Sequence, residues 1–500
     1  MKRLIIAILL LAVVCVIAEE KLNLPVADGP FKGELESLKQ YQCPDWFRDA
    51  KFGIWAHWGP QAVPEMGDWY ARQMYIENHR QYLFHCEHFG HPSVFGYKDI
   101  IPLWKAEKFD PDRLMERYKA AGAKYFVSMG VHHDNFDLWN SKHHKWNAVN
   151  MGPKRDIVGA WAAAARKQGL RFGVSEHLER AYSWLNTSKG ADKKGPKAGI
   201  PYDGTDPKFA DFYFPPHKDK SSVYPLDPPA WVQRQWFDRL QDLVDSYQPD
   251  LLYTDGGIPF GEYGHSLVAH FYNQNIKQHG GKLEAIYTIK DIPDKRHGDY
   301  VEGIAVQDLE RGILKGIKAA PWQTDTSVAD WFYSRNFKYK TPSAVIHLLV
   351  DIVSKNGNLL INFTQHADGT LDPESDKILD ELAAWMPVNG EAIFGTRPWK
   401  TFGEGAQQSA AGHFKEGSAK FTASDIRFTT KAGNLYAICL GVPTEPVKIK
   451  SLATEKIASI SLLGSDAKLD WKQDTDALVI QPVAKWPCEH AVAFKITPGS

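Results

Sequence analysis

The chain has 500 residues, 43% hydrophobic and 24% charged, which excludes a disordered polymer and, at roughly 100–200 residues per domain, implies more than one folded unit. Its 59 Lys and Arg balance 60 Asp and Glu to a net charge of −1, so no long-range field draws it to a nucleic-acid backbone or an anionic lipid surface. The 17 Trp, 20 Tyr and 25 Phe stand out, because wide aromatic faces suit a large core and also the apolar side of a sugar ring.

Lys2 and Arg3 precede an apolar run over 4–17 that is shorter than the about 18–20 residues a bilayer span needs. Val16-Ile17-Ala18 closes the run before Glu19, so residues 1–18 read as a secretory signal peptide. No later stretch offers a membrane span, and the mature chain is expected to be exported, periplasmic or extracellular. It keeps Cys43, Cys86, Cys439 and Cys488, with no C-x-x-C pair to suggest a thiolate metal site. Export permits disulfides, and Cys43 with Cys86 or Cys439 with Cys488 are the candidate pairs.

Short apolar runs then recur at 51–57, 124–131, 170–177, 250–255, 283–290, 303–310, 321–326 and 358–363, alternating with helical patterns. Asp110-Pro111, Thr341-Pro342 and Asp372-Pro373 each place a capping side chain before a proline at the first helical position. Eight strand–helix alternations predict an α/β fold, a closed (β/α)8 TIM-like barrel over 19–395, with functional groups at the C-terminal ends of its strands. Those ends carry His57, His132 and His133, Glu176 and His177, Asp255, Lys290, Glu310, Asp325 and Asn362. Packing alone would not select so many polar groups there. The insertions 66–108 and 178–229 are expected to rise over the same face. Beyond about Gly395 the period changes to short alternating strands, such as 419–421, 435–440, 447–449 and 477–480, which predict an antiparallel β-sandwich domain over 396–500.

Two carboxylates flanking a glycosidic bond are the minimum for its hydrolysis, and Asp255 and Glu310 end different strands at one mouth. Asp255 suits a nucleophile, since an Asp of ordinary pKa ~3.9 is ionised at neutral pH, and Gly256-Gly257 behind it removes bulk. Glu310 is the candidate general acid, which must hold its proton until the leaving oxygen takes it. His57, His132 and His133, flanked by Trp58, Trp69 and Trp139, can donate to sugar hydroxyls. A metal-dependent barrel hydrolase would also cluster His and Asp at this face. Its usual first-strand His-x-His pair is absent, because Ala56-His57-Trp58 supplies one His, and adjacent His132 and His133 would point to opposite faces of a continuing strand.

Six segments carry a resemblance in order: Phe52-Gly53-Ile54-Trp55-Ala56-His57-Trp58-Gly59, His132-His133-Asp134-Asn135-Phe136, the run 249–257 ending in Asp255-Gly256-Gly257, Trp322-Gln323-Thr324-Asp325-Thr326, the run 356–362 and the run 389–399. They resemble signatures of the α-L-fucosidase family of retaining glycoside hydrolases, family 29. The resemblance implies a catalytic barrel with a C-terminal β-sandwich, Asp255 as nucleophile, and His57, His132 and His133 as fucose-binding residues. Trp69 and Tyr70 match a Glu-Trp-Tyr segment of the family in which Asp68 takes the place of Glu. Glu310 is the expected acid/base, with Glu302 and Glu284 as fallbacks.

Trp58, Trp69, Glu176, His177 and Lys290 complete the expected substrate-binding set, and Lys290 stands about where many members have an arginine. Trp58, Trp69 and Phe260 are candidates for the apolar wall that a fucose methyl needs. The implied activity is exo-acting release of terminal L-fucose from fucosylated glycans by double displacement. Neither a metal nor an organic cofactor is expected, nor any nucleic-acid partner, and the sequence sets no oligomeric state. The contrasting reading is a fucose-binding lectin on an inactive barrel.

Overall fold

The structure, a computed structural model, describes residues 22–292, 297–407 and 409–499. The expected signal segment 1–18 lies outside the described residues. Eight parallel strands close into a barrel in chain order: β1 Phe52–Ala56, β2 Tyr125–Val131, β3 Arg171–Glu176, β4 Leu251–Thr254, β5 Ile286–Lys290, β6 Val306–Asp308, β7 Trp322–Ser327 and β8 Gly357–Asn362. Pairing of Phe52 with Leu359 through Trp55 with Asn362 joins β1 to β8 and closes the ring. β1, β2, β4 and β8 are buried on both faces, which is why they read as near-continuous apolar runs rather than alternating ones, whereas β7, equally buried, is mostly polar.

Two of the three proline-marked helix starts are capped as expected. Asp110 accepts from Arg113 N before the helix Pro111–Ala120, and Thr341 accepts from Ala344 N before Pro342–Ser354. Asp372 makes no cap bond to the helix Pro373–Asn389, because its carboxylate is taken by Tyr339 Oη and His366 Nε2.

The insertions after β1 and β3 are tied to each other above the mouth. Tyr82 Oη and Tyr202 Oη each donate to Asp192 at 2.6 Å, and Tyr75 Oη donates to Asp203 at 2.7 Å. Phenol–carboxylate bonds of this kind hold long connections that carry little regular structure of their own.

After the barrel come β9 Arg397–Glu404, β10 Ile426–Lys431, β11 Asn434–Cys439, β12 Val447–Ile449, β13 Ile457–Leu462, β14 Trp471–Gln473, β15 Leu478–Ile480 and β16 Val492–Pro498. They form an antiparallel five-stranded sheet, β13-β16-β11-β10-β9, and a three-stranded sheet, β12-β15-β14. Phe428, Ala437 and Phe494 of the larger sheet share one apolar core with Val447, Leu478 and Ile480 of the smaller. The expected strand 419–421 does not form. Instead the Phe421 ring lies under the Arg427 guanidinium at 4.9 Å. Arg427 Nε in turn donates to Asp351 of the barrel at 2.5 Å, and both side chains are buried. Removing either partner of such a pair costs about 3–5 kcal/mol.

Cys43, Cys86, Cys439 and Cys488 are all free thiols, so neither candidate disulfide is present. Among the described residues no helix is long and apolar enough to cross a membrane.

Candidate active site

A cavity of about 180 Å³ opens at the C-terminal mouth of the barrel. This is smaller than the about 300–1,000 Å³ that drug-sized ligands occupy, and suits a single small ring. Trp55, His57, His132, His133, His177, Tyr253, Asp255, Lys290, Glu310 and Asp325 reach it from the barrel strands or the residues just after them. Asp68, Trp69, Arg180, Trp331 and Phe414 reach it from the connections above.

Asp255 follows β4 directly, and Gly256 behind it has a φ of 158°, in extended backbone. A side chain at Gly256 would collide with the Tyr224 ring, whose hydroxyl donates to Gly257 O at 2.7 Å. Two cations hold the carboxylate of Asp255. Lys290 Nζ donates to Oδ1, and Arg180 Nη2 lies 2.9 Å from Oδ2. His133 Nε2 and His177 Nδ1 stand 3.5 and 3.7 Å from the same Oδ2. Burial pushes this carboxyl up, but the Arg180 guanidinium and the Lys290 ammonium outweigh it and hold Asp255 well below the usual carboxylate range.

Glu310 lies two residues beyond β6 at the rim. Lys290 Nζ donates to its Oε2 at 2.6 Å and Trp331 Nε1 to its Oε1 at 3.2 Å. One ammonium therefore touches both carboxylates. Burial pulls the Lys290 amine down, yet Asp255 and Glu310 raise it well above its ordinary value, so it stays charged. Two acceptors bonded to one nitrogen can be no further apart than two hydrogen-bond lengths, roughly 6 Å.

The imidazoles form a wall beside this pair. Ring centroids of His57 and His132, His132 and His133, and His132 and His177 are 5.1, 4.4 and 5.0 Å apart. Burial lowers His57 to about 3 against the opposing pull of Asp255. Burial also takes His132 and His177 well below the ordinary imidazole value and lowers His133. The wall is therefore neutral at neutral pH and able to exchange hydrogen bonds with hydroxyl groups. His57 Nδ1 and His177 Nε2 are buried and make no protein hydrogen bond, as expected of atoms kept for a ligand. Gln61 Oε1 accepts from Ala71 N at 3.2 Å, which turns Nε2 of the amide to His132 Nδ1 at 2.8 Å. An amide nitrogen only donates, so His132 carries its proton on Nε2, toward the cavity.

Comparison with known proteins assigns this arrangement. The family model for alpha-L-fucosidase matches residues 20–391, and that for the alpha-L-fucosidase C-terminal domain matches residues 420–497. The chain belongs to the alpha-L-fucosidase family of glycoside hydrolases. Mouse tissue alpha-L-fucosidase is 29% identical over 493 residues, covering 94% of this chain and 96% of that one. Human plasma alpha-L-fucosidase is 27% identical over 507 residues, covering 92% and 91%. Among solved structures, Thermotoga maritima alpha-fucosidase superposes with a TM-score of 0.71 at 26% identity, over 93% of this chain and 100% of that one. The same enzyme in complex with fucose gives a TM-score of 0.70.

Within this fucosidase fold, the cavity brings together eight of the residues expected from sequence: His57, Trp69, His132, His133, His177, Asp255, Lys290 and Glu310. His132 and His133 both face it, because β2 ends at Val131 and strand alternation no longer applies to them. Two expected residues lie elsewhere. Trp58 is buried against Trp104 and Phe109 and donates to His366 O at 2.9 Å, outside the cavity wall. Glu176 points away from the mouth, accepting from Thr254 Oγ1 at 2.6 Å and Trp236 Nε1 at 3.2 Å.

Phe260 packs on Trp236 rather than in the cavity, so Trp55, Trp69 and Trp331 supply its large apolar surface. Trp139 is likewise absent from the wall, donating instead to Asp242 at 3.1 Å. Of the fallback acids, Glu284 precedes β5 and bonds Arg171 at the start of β3, at the opposite end of the barrel. Glu302 is held by Tyr300 and Lys318 outside the cavity.

Sequence reasoning missed Trp55, Tyr253, Arg180, Trp331 and Phe414. Trp55 and Tyr253 each precede a chosen residue by two, so strand alternation was a usable signal for both. Arg180, Trp331 and Phe414 sit in irregular connections where no periodicity marks them.

Proposed function

We propose that this fucosidase is an exported, exo-acting enzyme that releases terminal L-fucose from fucosylated glycans with retention of configuration. One observation carries the mechanism: Asp255 and Glu310 share the Lys290 ammonium. Their facing oxygens are thereby held within roughly 6 Å, closer than the about 6.5–9.5 Å of an inverting pair, which supports the retaining arrangement. Asp255, kept ionised by Arg180 and Lys290, attacks the anomeric carbon as the glycosidic C–O bond breaks, and the proton of Glu310 goes to the departing oxygen. Water then attacks the same carbon, giving its proton to Glu310 and releasing Asp255. His57, His132, His133 and His177 bind the hydroxyls of the sugar, and Trp55, Trp69 and Trp331 cover its apolar edge. The small size of the cavity, about 180 Å³, supports removal of one terminal unit at a time.

A metal-dependent reaction is the second reading, favoured by ligand atoms of His57, His132 and His177, and of His133, His177 and Asp255, that lie within 4.8 Å of one another. Charge weighs against the second group, because Arg180 and Lys290 already supply two cations to Asp255 and would repel a divalent ion beside them.

The experiment is proton NMR of the first sugar released from an aryl α-L-fucoside. Retained α-fucose is expected, while inverted β-fucose, or no turnover at all, would overturn the reading.

A further inference from the structure

The chain of the C-terminal domain returns to the barrel mouth between β9 and β10. Gly412 pairs with Ile313 in an antiparallel bridge, Phe414 N donates to Glu310 O at 2.9 Å, and Lys415 N and Glu416 N both donate to Arg311 O at 2.9 Å. Glu310 N donates to His413 Nδ1 at 3.1 Å. The Glu416 carboxylate accepts from Thr326 Oγ1 at 2.6 Å and Lys340 Nζ at 3.0 Å. This connection is thus fastened to the barrel on both sides of one aromatic ring.

That ring is left open. Phe414 is 63% exposed, yet it lines the cavity. Its φ of 57° is in the left-handed region, which a bulky side chain adopts only when its surroundings impose it. Packing gives no reason for an exposed ring on such a backbone, whereas a ligand at the rim does.

We infer that Phe414 is the platform for the leaving group, a pyranose whose apolar face lies against the ring, so that the C-terminal domain supplies part of the substrate site. The inference rests on Glu310 as the acid. A leaving oxygen must come within hydrogen-bond reach of that carboxyl, so the ring attached to it extends to the solvent side of Glu310. Phe414 hangs on that side, one hydrogen bond from the Glu310 carbonyl. Trp331 Nε1 holds Oε1 of the same carboxyl and fixes the direction in which the leaving group departs.

Phe414→Gly tests this, since glycine suits the positive φ and removes only the ring. The readout is the ratio of kcat/KM for a fucosyl disaccharide to kcat/KM for α-L-fucosyl fluoride, whose leaving group has no ring. An aromatic contact of this size should lower the ratio about tenfold, and Phe414→Trp should restore it. An unchanged ratio in Phe414→Gly overturns the inference, as does an equal loss on both substrates. Turnover of the disaccharide by the wild-type chain keeps the Asp255 and Glu310 reading standing in either case, because a sugar leaving group needs the acid and fluoride does not, whereas a wild-type chain that turns over neither substrate overturns both.

Discussion

Replacing Lys290 with Met removes the ammonium that touches both carboxylates while keeping the unbranched shape of the rest of the side chain. Lys290 donates to Asp255 Oδ1 and, at 2.6 Å, to Glu310 Oε2. A hydrogen bond involving a charged group contributes about 1.5–3 kcal/mol, so loss of the Asp255 bond alone should lower kcat/KM about 10–100-fold. Arg180 remains 2.9 Å from Oδ2 and keeps Asp255 a carboxylate at neutral pH.

The direction of the pH effect follows from charge. A neighbouring cation favours the ionised carboxyl, so its loss favours the acid form, and the acidic limb of kcat/KM should move to higher pH. Stability follows the same linkage. A carboxyl held below its unfolded value of ~3.9 adds stability that is complete above that value and disappears as pH falls through the folded value. Lys290→Met should therefore lose acid stability earlier than wild type.

The assay is kcat/KM on an aryl α-L-fucoside across the acid range, with Tm followed in parallel, because breaking a buried ion pair also costs about 3–5 kcal/mol of stability. Lys290→Arg keeps a cation and should hold the limb close to its wild-type position. A folded Lys290→Met whose acidic limb stays in place or moves lower refutes the reasoning.

Glu310→Ala should reduce hydrolysis of a fucosyl disaccharide by about 10²–10⁴-fold and that of an activated aryl fucoside far less, since the latter departs with little protonation. Equal losses on both, measured by steady-state kinetics, would remove Glu310 from the acid role. Exhaustive chelation should leave turnover unchanged and elemental analysis should find no stoichiometric zinc; activity lost on chelation and regained with zinc would favour a metal at the histidine cluster. N-terminal sequencing of secreted protein should begin at Glu19, and recovery of an intact 1–18 segment in membrane would contradict export with cleavage.

The barrel was legible because most of its parallel strands, buried on both faces, leave apolar runs of strand length, and the eight expected runs correspond to β1 through β8, although β6 and β7 are largely polar. The mouth was legible for the same reason: a polar residue such as His57, Asp255 or Lys290 that ends such a run has few places to go but the barrel rim. What strand order could not supply was direction after the strand stops. His132 and His133 share one cavity because the chain has left the sheet, while Trp58, one residue beyond His57, turns into the core against Trp104. Arg180, the second cation on Asp255, follows β3 by four residues in a turn whose φ and ψ no pattern of apolar residues encodes. Phe414 comes from the other domain altogether, and tertiary contacts such as the pairing of Gly412 with Ile313 and the bond from Phe414 N to Glu310 O bring it to the site. The missing strand at 419–421 has a similar origin, since Phe421 is drawn off the sheet by the buried Arg427.

In the proposed double displacement Asp255 carries the covalently bound fucosyl group. Incubation with a 2-deoxy-2-fluoro-fucosyl fluoride, followed by intact mass measurement and peptide mapping, tests it most directly, because the fluorine slows both steps and the fluoride leaves readily enough for the first to proceed. The expected result is one added fluorofucosyl group per chain, located on Asp255 and absent from Asp255→Asn. A chain that consumes the reagent without gaining mass, or one labelled on a different carboxylate, would contradict it.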